Sequence, residues 1–316
     1  MEQKKAWMRV LTVVLTSKKF KKSFTFGANY LKQQDDLNIN VTINKYMSTL
    51  KDTAIIKIDN LTYAEMVQII SGEFYDVQVW SGYQKGNVNK VFAGGVVYIS
   101  NQLNSDKTNT VVILCANNIV AKFGQTRLNL TLNSSINLYS AIEFICRRAG
   151  ITNSNVSDQF KKQFLKEVMT VNDTPGNWLD KLCNTNKTFI SNGDGVLESN
   201  FSIFDAAKSN SRVIKLDNKD ILLTQGYPRL TSDGLTVNLL PTFNFVAGDI
   251  IKIDSSILDV SVSSQNEVVK NYPAYFSQKG EYMITEMTYT LQNRGPNFNL
   301  QLLCKNRDRI TSYIGG

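Results

Sequence analysis

Residues 226–234, Gly-Tyr-Pro-Arg-Leu-Thr-Ser-Asp-Gly, lead into Val237-Asn-Leu-Leu-Pro241, then Val246-Ala-Gly-Asp-Ile-Ile-Lys-Ile253, and then Gly280-Glu-Tyr-Met-Ile-Thr-Glu-Met-Thr-Tyr289. Pro228 and the Ser-Asp-Gly run at 232–234 are turn chemistry, and Gly248-Asp249 stands where a loop enters a strand. Ile251 and Ile253 alternate with Lys252 and Asp254, and Tyr282 and Ile284 with Met283 and Thr285. That period of two marks strands with two different faces, so the last quarter of the chain reads as a compact antiparallel β-barrel.

Upstream, residues 5–118 are also mostly β. Trp7 to Leu15 alternates, Phe24-Thr-Phe26 is a short strand, and Leu37, Ile39, Val41 and Ile43 alternate with polar residues. Ala54 to Leu61 is a strand that ends at Thr62-Tyr-Ala-Glu65, a capping box predicting a helix to about Ile70. Strands follow at Tyr75 to Trp80, Val91 to Ser100 and Thr110 to Cys115.

The middle, 119–220, has a different texture. Ser135 is expected to cap a helix with Leu138, Ile142 and Ile145 on one face, Arg147-Arg148 in its last turn and Gly150 as its stop. A second helix starts at Thr174-Pro175, carries Trp178, Leu179 and Leu182, and ends near Asn184. Thr188 to Phe204 reads as a β-hairpin turning on Asn192-Gly-Asp-Gly195. The tetrad lacks the spaced carboxylates and final Glu of an EF-hand, so it is read as a turn and not as a calcium loop. The expected fold class is mainly β with an α+β insert: two antiparallel β-barrel domains, 1–118 and 221–316, separated by a small α+β domain, 119–220.

Composition narrows the chemistry. At 316 residues, 42% hydrophobic and 20% charged, the chain is long enough for two or three folded domains. Apolar runs such as Val111 to Ala116 fall far short of the roughly 18–20 residues a membrane helix needs. The N-terminus shows no apolar stretch followed by a small-residue cleavage site, so no signal peptide is expected. Cys115, Cys146, Cys183 and Cys304 are too widely spaced for a metal pair or disulfide framework and are read as buried thiols.

Histidine is absent, which removes Ser-His-Asp and Cys-His catalysis and the common His-bearing zinc sites. The net charge of +8 is spread thinly apart from Lys18, Lys19, Lys21 and Lys22. That run reads either as a solvated loop between strands or as a contact with an acidic partner or with DNA moving through a channel. No Arg-rich helix or RNA-recognition aromatic motif accompanies it.

The order Gly226, Pro228, Thr231, Gly234, then Leu240-Pro241, then Gly248-Asp249, then Gly280 and Tyr282 resembles the C-terminal barrel of phage baseplate hub proteins, the family of the phage Mu hub and related contractile tails. A second segment resembles the N-terminal barrel of the same family. There a strand ending in Asn60-Leu61 leads to a short helix, then a strand ending in Gly82-Tyr83, then a strand carrying Phe92 and Gly94. The helix, Thr-Pro helix and hairpin order of the middle is similar to the family's middle domain.

The resemblance implies a structural virion protein with no catalytic, cofactor-binding or metal-binding residues and no small-molecule substrate. It implies a homotrimer whose two similar barrels per chain make a pseudo-sixfold ring, joining a tail tube or tube-initiator protein to a central spike. Other baseplate proteins would surround it, and DNA would pass only as cargo through the axial channel. Assembly in the host cytoplasm and residence in the virion's tail baseplate follow from the same resemblance. A weak internal echo fits two barrels: Asp76 to Val79 compares with Asp249 to Ile253, and Phe92 to Tyr98 with Tyr282 to Tyr289.

Two other readings stay open on residue type. Glu143 and Glu167 are the candidate acids for a tail-associated cell-wall hydrolase, since paired carboxylates cleave glycosides without histidine. Thirteen Tyr and three Trp in a strand-rich chain also fit a glycan- or receptor-binding module. A hub of a related injection machine, such as a tailocin or secretion spike complex, falls within the leading class.

Overall fold

The computed structural model describes residues 9–17, 22–27, 37–47, 52–71, 74–84, 86–105, 108–117, 126–151, 153–156, 158–186, 189–192, 200–204, 212–216, 226–231, 234–254, 258–260, 277 and 279–307. The chain is mainly β with an α+β insert, as its period-two patterning predicts. Seven strands come from the first block: β1 (Arg9–Ser17), β2 (Lys22–Gly27), β3 (Asn38–Tyr46), β4 (Thr53–Asp59), β5 (Phe74–Tyr83), β6 (Val88–Leu103) and β7 (Asn109–Ala116). Helix α1 (Tyr63–Ser71) lies between β4 and β5.

The insert holds β8 (Leu128–Leu132), α2 (Leu138–Arg148), β9 (Asn153–Val156), β10 (Met169–Asp173), α3 (Pro175–Asn186), β11 (Phe189–Asn192) and β12 (Asn200–Phe204). Then comes β13 (Val213–Lys215), and the last block supplies β14 (Arg229–Thr231), β15 (Gly234–Leu239), β16 (Ile250–Lys252), β17 (Asp259–Val260), β18 (Glu281–Gln292) and β19 (Phe298–Asn306).

The two β blocks share one sheet. Its fourteen strands run β17-β14-β15-β19-β18-β3-β4-β7-β6-β5-β1-β2, with β16 also on β18 and β13 on β16. The seam is β18 against β3, antiparallel from Glu286↔Tyr46 to Gln292↔Asn40. Within this sheet all pairings are antiparallel except β13–β16 and β14–β17. Val213–Lys215, which the sequence division puts in the middle block, pairs with β16 of the last block.

Strand β3 shows why the sheet forms. Its alternation buries Ile39, Val41 and Ile43 while the residues between them stay half-exposed. Each such side chain contributes about 1.5–3 kcal/mol on burial. One core cluster runs through both halves, from Leu11, Ile39 and Ile56 to Val237, Tyr289 and Leu302.

Polar side chains fix the seam at one end. The Ile39 N–H donates to Asn293 Oδ1 (2.8 Å), Asn293 Nδ2 donates to the Leu37 carbonyl (2.9 Å), and the Asn293 N–H donates to the Ile39 carbonyl (3.2 Å). From β1, the Arg9 guanidinium donates to the carbonyls of Gln292, Gly295 and Pro296 and lies over the Phe298 ring.

The halves are also internally alike. The order β3-β4-β7-β6-β5 corresponds to β14-β15-β19-β18-β16, every pairing antiparallel in both. Each copy has a bulge at the same point: pairing skips one residue after Val96↔Cys115 in the first and after Ile284↔Cys304 in the second. With the bulges superposed, Asp76 corresponds to Ile250 and Phe92 to Gly280. The sequence echo therefore compares the same strands in a slipped register, one residue off at Asp76/Asp249 and two off at Phe92/Tyr282.

The insert has its own core, built on Leu128, Ile142, Ile145, Phe160, Val171, Trp178 and Leu179. Helix α2 carries the predicted apolar face, but its cap is Asn137 and not Ser135: Asn137 Oδ1 accepts from the Ser140 N–H at 2.8 Å. Both residues are good caps, and position decides, because only Asn137 sits immediately before the first helical residue. The far end is a Schellman closure, with Gly150 at φ +74° and the Ile151 and Gly150 N–H groups on the Cys146 and Arg147 carbonyls. Helix α3 begins at Pro175 as predicted and extends two residues past Asn184. Asp173 accepts from the Thr174 N–H, Asn177 Nδ2 and Lys181 Nζ, which hold its carboxyl down to about 2, with the Lys181 contact foremost. Strands β11 and β12 pair as the predicted hairpin, and its turn at 193–199 lies outside the described residues.

Candidate structural site

The signature residues fall into four groups. Asn60 and Leu61 form the step from β4 into α1. Asn60 sits at φ +63°, a conformation Asn tolerates, and its N–H donates to the Asn109 carbonyl at 3.3 Å. The capping box is made as expected: Glu65 Oε2 accepts from the Thr62 N–H (3.0 Å), and Thr62 Oγ1 accepts from the Glu65 N–H (3.3 Å). Leu61 and Met66, before and after the cap, are both buried in the main core at the positions of a hydrophobic staple.

The second group lies where β5 turns into β6. A Cβ on Gly82 would meet the Asn87 carbonyl oxygen at 2.1 Å, and one on Gly94 would meet the Ala116 carbonyl oxygen at 2.3 Å. Phe92 is buried, and its ring edge also closes on Gly94. The Tyr83 ring packs edge-on against Phe298 of β19 at 5.4 Å, so this corner joins the two halves of the sheet. Burial raises the Tyr83 hydroxyl above its ordinary pKa, and Arg9 partly opposes that rise.

The third group brings together Gly248, Asp249, Gly280 and Tyr282 around β16 and β18. Residues 246–249 make a closed turn. The Asp249 N–H donates to the Val246 carbonyl (3.0 Å), and the Asp249 carboxylate accepts from the Val246 N–H (2.9 Å) and from the Arg212 guanidinium. Gly248, at φ +97°, donates its N–H to the Ile284 carbonyl, and the Ile284 N–H returns a bond to the Asp249 carbonyl. Gly280 (φ +67°) abuts the Ile253 carbonyl. The hydroxyl of the fully buried Tyr282 accepts from the Ser277 N–H at 3.2 Å.

Gly226 and Pro228 precede β14, Thr231 ends it, Gly234 opens β15, and Pro241 is buried just beyond β15. Asn293, Arg9 and Arg212, which hold the seam and the Asp249 turn, were not singled out from sequence. The Asn293-Arg-Gly-Pro296 turn was the available signal for Asn293, whereas Arg9 and Arg212 act across 286 and 37 residues and carry no local signature.

The candidate acids do not form a pair in a cleft. Glu143 lies on α2 beside Arg147 (3.7 Å) and accepts from the Tyr139 hydroxyl, and Glu167 is exposed in a bend. The shallow groove at the seam, lined by Asn40, Thr42, Ile55, Lys57 and Gln292, contains neither. Among the described residues no three His, Cys, Asp or Glu side chains converge in a way that could hold a metal ion. Of the basic run, Lys22 lies over the Phe24 ring at 4.6 Å, and 18–21 fall outside the described residues.

No protein-family model and no curated protein matches the sequence. Solved structures do match the fold. The 43 kDa tail protein of prophage MuSo2 from Shewanella oneidensis aligns with a TM-score of 0.59 at 9% identity, over 95% of this chain and 97% of its own. The tail protein from Neisseria meningitidis MC58 aligns at 0.58 and 8% identity, over 97% and 98%. The E. coli c3393 protein, a type VI secretion component described as structurally similar to the T4 tail proteins gp27 and gp5, aligns at 0.54 and 10% identity, over 87% and 75%. The fold implied by the hub resemblance is thus the fold found: over nearly its whole length this chain has the architecture of solved phage tail proteins.

Proposed function

We propose that the chain is a structural baseplate hub of a contractile phage tail, a homotrimer that joins the tail tube to the central spike around an axial passage. The observation that carries this reading is the internal repeat. Two copies of one five-strand unit, side by side in a single sheet, give three chains six similar units. Such a ring meets a sixfold tube on one side and a threefold spike on the other without a change of fold. The whole-chain likeness to phage tail proteins supports the setting, and the likeness to a type VI secretion component supports a spike partner.

The role is mechanical and not catalytic. The signature residues are turns and packed side chains, and Glu143 and Glu167 are engaged or exposed apart from any cleft. The division into 1–118, 119–220 and 221–316 belongs to this reading, with β13 as the strand the middle block lends to the last block's sheet. So do other baseplate partners, DNA as passing cargo, assembly in the host cytoplasm and residence in the virion. Electron-microscopy class averages of the purified chain, alone and on tails, test it. Threefold rings with six peripheral lobes are expected, and monomers that never form a ring would overturn it. A zymogram against bacterial walls is expected to stay unlysed.

A further inference from the structure

The repeat leaves one place on β6 unfilled. Superposing the bulges makes Tyr98–Leu103 of β6 the counterpart of Glu286–Leu291 of β18. On β18 that stretch has two neighbours, β19 on one edge and β3 on the other. On β6, among the described residues, it pairs with β7 alone, because the β5–β6 ladder ends at Asp76↔Gly95. Among the described residues nothing pairs with the other edge of 97–103.

Burial records the same difference. Leu291, opposite Val41 of β3, is 0% exposed, whereas its counterpart Leu103 is 71% exposed, with Tyr98 at 56% and Val97 at 68%. An unpaired strand edge carrying exposed apolar side chains is a template for another strand.

We propose that this edge receives a second copy of the chain, with β14 taking the place on β6 that β3 takes on β18. The repeat supplies the occupant. Ile43 of β3 lies opposite Ala54, and Leu230 of β14 opposite Leu235, and Ala54 and Leu235 in turn lie opposite the bulge cysteines Cys115 and Cys304. Strand β14 is therefore the repeat's own counterpart of β3. Carrying Tyr289↔Ile43 and Thr290↔Thr42 across sets Asn101 opposite Leu230 of the partner subunit, and Gln102 opposite Arg229 of the partner subunit.

In the lone chain a two-residue parallel bridge, Arg229↔Asp259 and Leu230↔Val260, lies along that side of β14, so addition displaces β17. Tyr227, 59% exposed just ahead of β14, then comes beside the apolar side chains of β6. The inference rests on the ring reading and gives the ring its register.

The test is a disulfide across the new ladder in the full-length chain. Antiparallel partners stand about 4.5–5.5 Å apart at Cα, within the range a disulfide spans. Gln102→Cys combined with Arg229→Cys is expected to give linked multimers on oxidation. Each single variant controls for reaction with the native thiols and is expected to give none. Leu103→Lys is expected to weaken self-association by about tenfold or more while leaving the melting temperature of the monomer unchanged. Rings that form by mass without this cross-link, and that tolerate Leu103→Lys, would overturn the edge assignment and leave the ring standing. A chain that stays monomeric at every concentration, without cross-link, overturns both.

Discussion

Replacing Asn293 by Ala removes the clamp that closes one end of the β3–β18 seam. Two side-chain hydrogen bonds go, the one accepted from the Ile39 N–H at 2.8 Å and the one donated to the Leu37 carbonyl at 2.9 Å, both partly buried. A net hydrogen bond contributes about 0.5–1.5 kcal/mol, and a partner left without one costs somewhat more, so the expected loss is about 2 kcal/mol. Asn293→Asp keeps the acceptor for Ile39 but sets a carboxylate oxygen against the Leu37 carbonyl where a donor stood, so it is expected to lose at least as much. Urea unfolding followed by circular dichroism gives the free energies. Hydrogen exchange at the Ile39 amide gives the local one, and a loss of 2 kcal/mol corresponds to roughly thirtyfold faster exchange. A change below about 0.5 kcal/mol for Asn293→Ala, with Ile39 exchange unaltered, would refute the clamp.

Gly234→Ala forces a Cβ to within 2.4 Å of the Cys304 carbonyl oxygen at φ +127° and is expected to cost more than about 2 kcal/mol. Gly226→Ala, at φ +109° with open space around it, is expected to cost only the backbone strain of about 1 kcal/mol, and urea midpoints of the two variants compare them. Asn137→Ala is expected to destabilise the insert by about 1 kcal/mol and Ser135→Ala by less than about 0.5, which thermal melts of the two variants will separate. Burial pushes the Cys115 and Cys146 thiols up to about 12 and Cys304 higher still, so their peptides should resist iodoacetamide at pH 8 until the chain is unfolded. Because these folded-state values lie above the ordinary thiol value of 9.0, their contribution to stability is full below pH 9. It is lost as pH rises toward 12, so the urea midpoint should fall over that window.

Legibility in the sequence followed the range of the interaction. The capping box at Thr62–Glu65, Pro175 at the start of α3 and the alternation of β3 could be read because each is settled by neighbours a few residues away. The helix cap at 137 was misplaced to 135 because two good capping residues stand close together, and tertiary packing selects which turn begins the helix. The signature turns were found as an order of Gly, Pro and Asp, but the sequence did not show that Asp249 is held by Arg212 or that Gly94 is required by the Ala116 carbonyl. The repeat was visible only as an echo with slipped register. Its alignment depends on which residues face each other across a bulge, and pairing of that kind leaves no trace along one strand.

By itself, the sequence determined the strand-rich composition, the helical insert, the turns and the absence of histidine chemistry, because periodicity, capping and residue type are local properties. The tertiary structure alone decided that the two β blocks form one sheet, that Arg9 and Asn293 reach across it, and that among the described residues the far edge of β6 lacks the strand its counterpart has. Strand pairing is made between backbones hundreds of residues apart, and its choice is fixed only when the whole sheet is assembled.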